Sequence, residues 1–104
     1  MLVHIVMWKL KERAEGADKA ANAEKIKELL GACANIVPGM LRFEVGIARP
    51  GLEATYDVVL YSEFESKEAL DAYQKHPQHV ALKPFMTAVR EARQCMDYEV
   101  EITR

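Results

Sequence analysis

Leu2-Val3-His4-Ile5-Val6-Met7-Trp8-Lys9-Leu10 decides the fold of this 104-residue chain. Read as a strand, it places Leu2, Val6, Trp8 and Leu10 on one side together with His4, and Val3, Ile5 and Met7 on the other. Both faces are apolar, so both have to be covered. Helices of the same chain can cover one face. The other needs a second layer from elsewhere.

The neighbouring segments supply the rest. Lys11 to Ala17 is polar, contains Gly16 and reads as a loop, after which Asp18 is placed to cap a helix. Ile26, Leu29, Leu30 and Cys33 recur at helical spacing opposite Lys25, Lys27 and Glu28, and Pro38-Gly39 ends that region. Met40 to Ala48 alternates, with Leu41, Phe43, Val45 and Ile47 facing away from Arg42 and Glu44. Arg49-Pro50-Gly51 is a turn. Thr55 to Phe64 reads as a third strand, with Tyr56, Val58, Leu60 and Phe64 on one face. Ser66 is expected to cap the next helix, with Glu68 at the positive end of its dipole and Leu70 and Tyr73 on its inner side. Pro77 fits the first position of a further helix, whose predicted apolar face is Val80, Phe85, Ala88, Val89 and Ala92, and Pro84 should kink or restart it. Cys95 to Ile102 is the predicted last strand, with Met96, Tyr98, Val100 and Ile102 opposed to Asp97, Glu99 and Glu101.

The order strand, helix, strand, strand, split helix, strand implies an α+β ferredoxin-like sandwich, formed by the whole chain, 1–104, as one domain. Helices cover one sheet face. The other also carries large apolar residues, and a second copy stacked face to face would hide both in a homodimeric central β-barrel.

Composition narrows the function. Half the residues are hydrophobic and 29% are charged, with a net charge of -2 and both signs mixed along the chain. No basic stripe suggests nucleic-acid binding, and no apolar run suggests a membrane span. The first residues lack the features of a secretory signal, so a cytoplasmic location is expected. Cys33 and Cys95 have no CxxC neighbour and read as small buried hydrophobes. Met7, Met40, Met86 and Met96 read as core gap-fillers, and charges such as Glu91 and Arg93 as a solvated helix face.

The residues with chemistry cluster in Asp71-Ala72-Tyr73-Gln74-Lys75-His76-Pro77-Gln78-His79-Val80. His79 suits a general base, because imidazole exchanges a proton near neutral pH. Tyr73 would orient it or hold a developing enolate oxygen. His4 lies far away in sequence and joins them only if its strand face looks at the helices. The plain alternative is that His79 packs at a helix start, Tyr73 is a core aromatic and His4 is a satisfied structural histidine. His76 and His79 are three apart, a spacing able to place two metal ligands on one helix face with His4 as a third. Pro77 instead puts His76 outside the helix carrying His79, and no cofactor is expected.

These residues together resemble the stress-responsive dimeric A/B barrel (Dabb) proteins over essentially the full chain. The resemblance rests on His4-Ile5-Val6-Met7-Trp8-Lys9-Leu10-Lys11, Ile36-Val37-Pro38-Gly39-Met40, Ser62-Glu63-Phe64-Glu65-Ser66, Tyr73 with His76-Pro77-Gln78-His79-Val80, and Asp97-Tyr98-Glu99. It implies a ferredoxin-like protomer and a homodimer with a central barrel. A few plant relatives are polyketide cyclases that close a poly-β-ketone by an aldol reaction, using a pocket between sheet and helices. His79, Tyr73 and His4 match the pocket positions of those enzymes, and Val6, Trp8 and Val58 are expected to line the pocket. A third-strand histidine of the cyclases is replaced here by the sequence Tyr56-Asp57-Val58-Val59. Some family members hold a hard cation on backbone carbonyls after the first helix, and the corresponding positions are Ala34, Val37 and Met40. The resemblance therefore implies a stress-response-type protein that binds a small hydrophobic molecule. The alternative is a cyclase-like enzyme with His79 as base.

Overall fold

The computed structural model describes residues 1–101, and Ile102, at the end of the predicted last strand, lies outside them. Strand β1 spans Leu2–Leu10. A two-residue hairpin, β2 (Arg13–Ala14) and β3 (Ala17–Asp18), replaces the expected loop. Its turn residues Glu15 and Gly16 both have positive φ, the conformation that a tight two-residue hairpin requires. Helix α1 follows at Lys19–Gly31, its first turn capped by the Asp18 side chain, which accepts from the Ala21 N–H. Strand β4 is Met40–Ile47 and β5 is Val58–Phe64. Helices α2 (Lys67–Lys75), α3 (Pro77–Val80) and α4 (Lys83–Val89) precede the last strand, β6 (Arg90–Glu99).

The main sheet has the order β4-β5-β1-β6 and is antiparallel throughout. This is the ferredoxin-like arrangement. The helices lie on the face formed by His4, Val6, Trp8 and Leu10 of β1 and Val58, Leu60, Ser62 and Phe64 of β5, all of them buried. Ile26, Leu30 and Cys33 from the α1 side, Leu70 and Tyr73 of α2, and Met86 and Val89 of α4 complete that core.

The second half of the chain is divided by its prolines. His76, held extended ahead of Pro77, ends α2, and its Nδ1 accepts from the Gln78 N–H to start α3. Pro84 sits in the first turn of α4, where its missing N–H costs little. The restart expected there takes place at Ala81–Leu82.

Several expectations need correction. β6 begins at Arg90, not Cys95, so Ala92 belongs to the strand and the helix ends at Val89. Val80 is exposed, and Leu82 and Met86 take its place in the core, because the chain restarts its helical phase after α3. Leu41 is also exposed: the β4–β5 register slips between Met40 and Arg42, which rotates Leu41 outward while Met40 packs on the core. Arg93 is on β6, not on a helix face. Cys33 is buried as expected, but Cys95 is exposed on the edge strand β6. Met7 and Met96 are exposed on the outer sheet face, so they do not fill gaps in this core.

Gly39 turns the chain into β4. Its φ is +88°, its carbonyl accepts from the Glu65 N–H, and a Cβ placed there would stand 2.9 Å from the Cβ of Ala69. Gly39→Ala is therefore expected to combine left-handed strain with a clash against the start of α2. Equilibrium denaturation should show a loss of ~1–3 kcal/mol.

Candidate functional site

The sheet and the helices do not close completely. A cavity of about 370 Å³ remains between β1 and the α2–α4 region. Its apolar wall is Val6, Trp8 and Leu60 from the sheet and Leu30, Leu82 and Met86 from the helical side. His4 and His79 both line it, together with Gln74, Thr87, Lys83, Arg90 and Arg93.

His4 is 4% exposed. The β1–β6 register sets it opposite Asp97, and its Nδ1 lies 2.5 Å from Asp97 Oδ1. A carboxylate accepts, so Nδ1–H donates and Nε2 is left as the second ring nitrogen. His4 is thus oriented by a carboxylate from a strand 93 residues further along the chain. Its backbone carbonyl accepts from Ser62 Oγ at 3.0 Å, which fixes the strand beneath it.

His79 reaches the cavity from α3. Its Nδ1 lies 3.2 Å from the Gln74 carbonyl at the end of α2, so Nδ1 carries the proton and Nε2 keeps its lone pair. Burial pushes its pKa below the ordinary histidine value. The Gln74 bond opposes this, and the charges of Lys83, His4 and Arg93 reinforce it. His79 is therefore a neutral imidazole at pH 7, in the form that accepts a proton.

Tyr73 departs from expectation. It is fully buried, and it is not among the residues lining the cavity. Its ring lies 4.6 Å from that of His79, centroid to centroid, and also packs on Phe64 and Phe43. Its hydroxyl has no hydrogen-bond partner among the described residues. Burial, with the Cys33 thiol adding, holds the phenol far above its usual range, so it stays neutral. Tyr73 packs against the His79 ring from behind and does not face the cavity. Val58 is also displaced from its expected place: it is buried opposite Trp8 at the start of β5, and Leu60, two residues on, reaches the cavity in its stead. Val6 and Trp8 line the cavity.

Asp57, within the Tyr56-Asp57-Val58-Val59 stretch, accepts from the Leu10 N–H at 2.7 Å and closes the end of β1. His76 serves as the cap of α3 and does not join the other histidines at the cavity. No group of three or more His, Cys, Asp or Glu side chains placed to hold a metal occurs among the described residues. Ala34, Val37 and Met40 lie half-buried on and after the turn that follows α1. Asp97, Lys83, Arg90 and Arg93 were missed as site residues. The weak signal for them was parity: Arg93 and Asp97 are an even number of residues apart on one strand, and Lys83, Thr87 and Arg90 follow helical spacing.

A sandwich of this topology with a histidine-bearing cavity under its helices defines a ferredoxin-like protein with a small-molecule-sized internal pocket. The model of the stress responsive A/B barrel (Dabb) domain matches residues 2–100, and the chain belongs to that family. Solved structures agree. A dimeric protein of unknown function from Bacteroides fragilis is 32% identical, with a TM-score of 0.79 over 95% of each chain. A dimeric ferredoxin-like protein from Jannaschia is 27% identical, with a TM-score of 0.72 over 95% of this chain and 98% of that one. A Dabb family protein from Mesorhizobium loti is 22% identical, with a TM-score of 0.68 over 98% and 97%. No protein with a curated description matches the chain.

The depressed pKa of His79 has a consequence for stability. Unfolding returns the imidazole to about 6.5, so below that pH the unfolded chain binds a proton that the folded chain resists. The stabilising contribution of neutral His79 is complete above pH ~6.5 and is lost as the pH falls through and below that value. Thermal unfolding from pH 7.5 to pH 5 should show a falling Tm, and His79→Gln should flatten that fall.

Proposed function

We propose that this protein binds a small, largely apolar molecule in the cavity of each protomer of a homodimer, in the manner of a stress-response-type barrel protein. The single observation that supports this best is the cavity itself. Its 370 Å³ falls at the lower end of the range of ligand pockets, ~300–1,000 Å³, and its wall is apolar with a few convergent polar groups. Compounds that occupy it should raise the Tm, since a ligand bound only to the folded form stabilises it. Thr87 is an exposed residue of the lining, so Thr87→Trp narrows the cavity without repacking the core. The expected result is that compounds stabilising the wild type lose their effect on this variant. Stabilisation that persists undiminished would place their binding elsewhere.

The homodimer rests on the outer sheet face. Ile5, Met7, Met96 and Tyr98 lie together there along the β1–β6 ladder, with Met96 65% exposed. A second copy stacked on this face would cover it and complete a central barrel. The Bacteroides fragilis and Jannaschia relatives are described as dimeric. Light scattering should give twice the 11.8 kDa chain mass, and Met96→Asp should shift the protein towards monomer. A wild-type monomer at micromolar concentration would defeat this assembly.

A second reading is favoured by the histidines. His79 presents a proton-accepting Nε2, and His4 is oriented by Asp97, so the cavity is equipped to move a proton on a carbonyl substrate as a polyketide cyclase does. His79 would be the base, His4 its neighbour across the cavity, and Tyr73 a positioning residue. For a β-dicarbonyl probe turned over by the wild type, His79→Gln should cut kcat by ~10²–10⁴-fold and leave binding in place. A wild type that binds such probes without turnover supports the binding reading alone.

A further inference from the structure

The charge around the cavity is unlike that of the chain. The protein carries 16 acidic and 14 basic residues, yet among the described residues no acidic one lines the cavity, while Lys83, Arg90 and Arg93 do. Lys83 opens α4, and Arg90, directly after its last residue, is the first residue of β6. Arg93 stands on β6 opposite Trp8. Lys19, Arg42, Arg49 and Lys67 each meet a carboxylate, but none of the three cavity cations forms a salt bridge among the described residues. Asp97, the carboxylate that β6 offers at the same parity as Arg93, is engaged by His4. Three like charges around a partly apolar recess repel one another, and an anionic guest would relieve that repulsion.

We propose that the cavity takes an amphipathic organic anion, an apolar body with one carboxylate head. The body would lie against Trp8, Leu60 and Met86, and the head among Lys83, Arg90 and Arg93. This deepens the binding reading above and rests on it. A carboxylate suits the site better than a phosphate. Among the described residues no glycine lines the cavity, and α4 is only 7 residues long, so these residues offer no cradle of backbone N–H groups. The charge comes instead from separate side chains, and a guanidinium can hold a planar carboxylate through two parallel hydrogen bonds.

Trp8 is the only tryptophan of the chain and part of the cavity wall, so its fluorescence reports occupancy directly. Octanoate and decanoate are titrated against octanol and decanol, which share their bodies but lack the charge. The acids should bind about tenfold more tightly or better, and that advantage should shrink as salt is raised. The triple variant Lys83→Gln, Arg90→Gln, Arg93→Gln should bind acid and alcohol alike. Equal binding of acids and alcohols by the wild type overturns the anion inference and leaves the binding reading standing, as does an acid preference that survives in a folded triple variant. A wild type whose Trp8 responds to neither class overturns both. Should the triple variant fail to fold, the wild-type comparison and its salt dependence still decide the matter.

Discussion

The structure depends on the register of β1 between β5 and β6. Side chains alternate strictly along a strand, so a slip of one residue would exchange its two faces. In the observed register His4, Val6, Trp8 and Leu10 look at the helices, and the first three pair with residues of the same orientation on both neighbours. That single alignment builds the floor of the core and brings His4 to Asp97 on one side and Ser62 on the other. It also leaves Ile5 and Met7 beside Met96 and Tyr98 on the opposite face. The cavity and the apolar outer face are two results of the same pairing.

Above that floor the site depends on a break in the helical layer. A continuous helix from Lys67 onward would follow one line across the sheet. Proline at position 77 ends the first segment and lets His76 cap the next, which turns His79 back towards the end of α2. The Gln74 carbonyl, in the last turn of that helix, then selects the tautomer of His79. Gln78 ties the same break to the end of α1 through the Ala32 carbonyl, 2.6 Å away. The two histidines are therefore held by different means, one by a carboxylate and one by a carbonyl. Burial pushes the second, His79, towards its neutral form.

Local signals in the chain were readable where the physics is local. Asp18 and Ser66 cap the helices assigned to them, because a short polar side chain ahead of an apolar period satisfies the first free N–H groups. The start of β6 was not readable, since Arg90-Glu91-Ala92-Arg93-Gln94 has almost no apolar alternation and is held in the sheet by pairing with β1. The β2–β3 hairpin was hidden because Glu15 takes a conformation more often signalled by asparagine or glycine. Leu41 failed for a related reason: a bulge changes parity, and parity was all that placed it.

By itself, then, the sequence determined the order of the main-sheet strands and the helices, the apolar character of both faces of Leu2–Leu10, the hinge at Pro77 and the candidacy of His4 and His79. These follow from periods, caps and breakers within a few residues of one another. Tertiary structure alone decided which groups meet. It paired His4 with Asp97 across most of the chain, set Tyr73 behind His79 instead of at the cavity, and substituted Leu60 for Val58 in the cavity wall. It also gathered Lys83, Arg90 and Arg93, which in the chain look like ordinary surface charges, around one recess. Spacing fixes which face of its own element a residue occupies. Where that face comes to lie is set by the packing of helices on a sheet whose strands are distant in sequence.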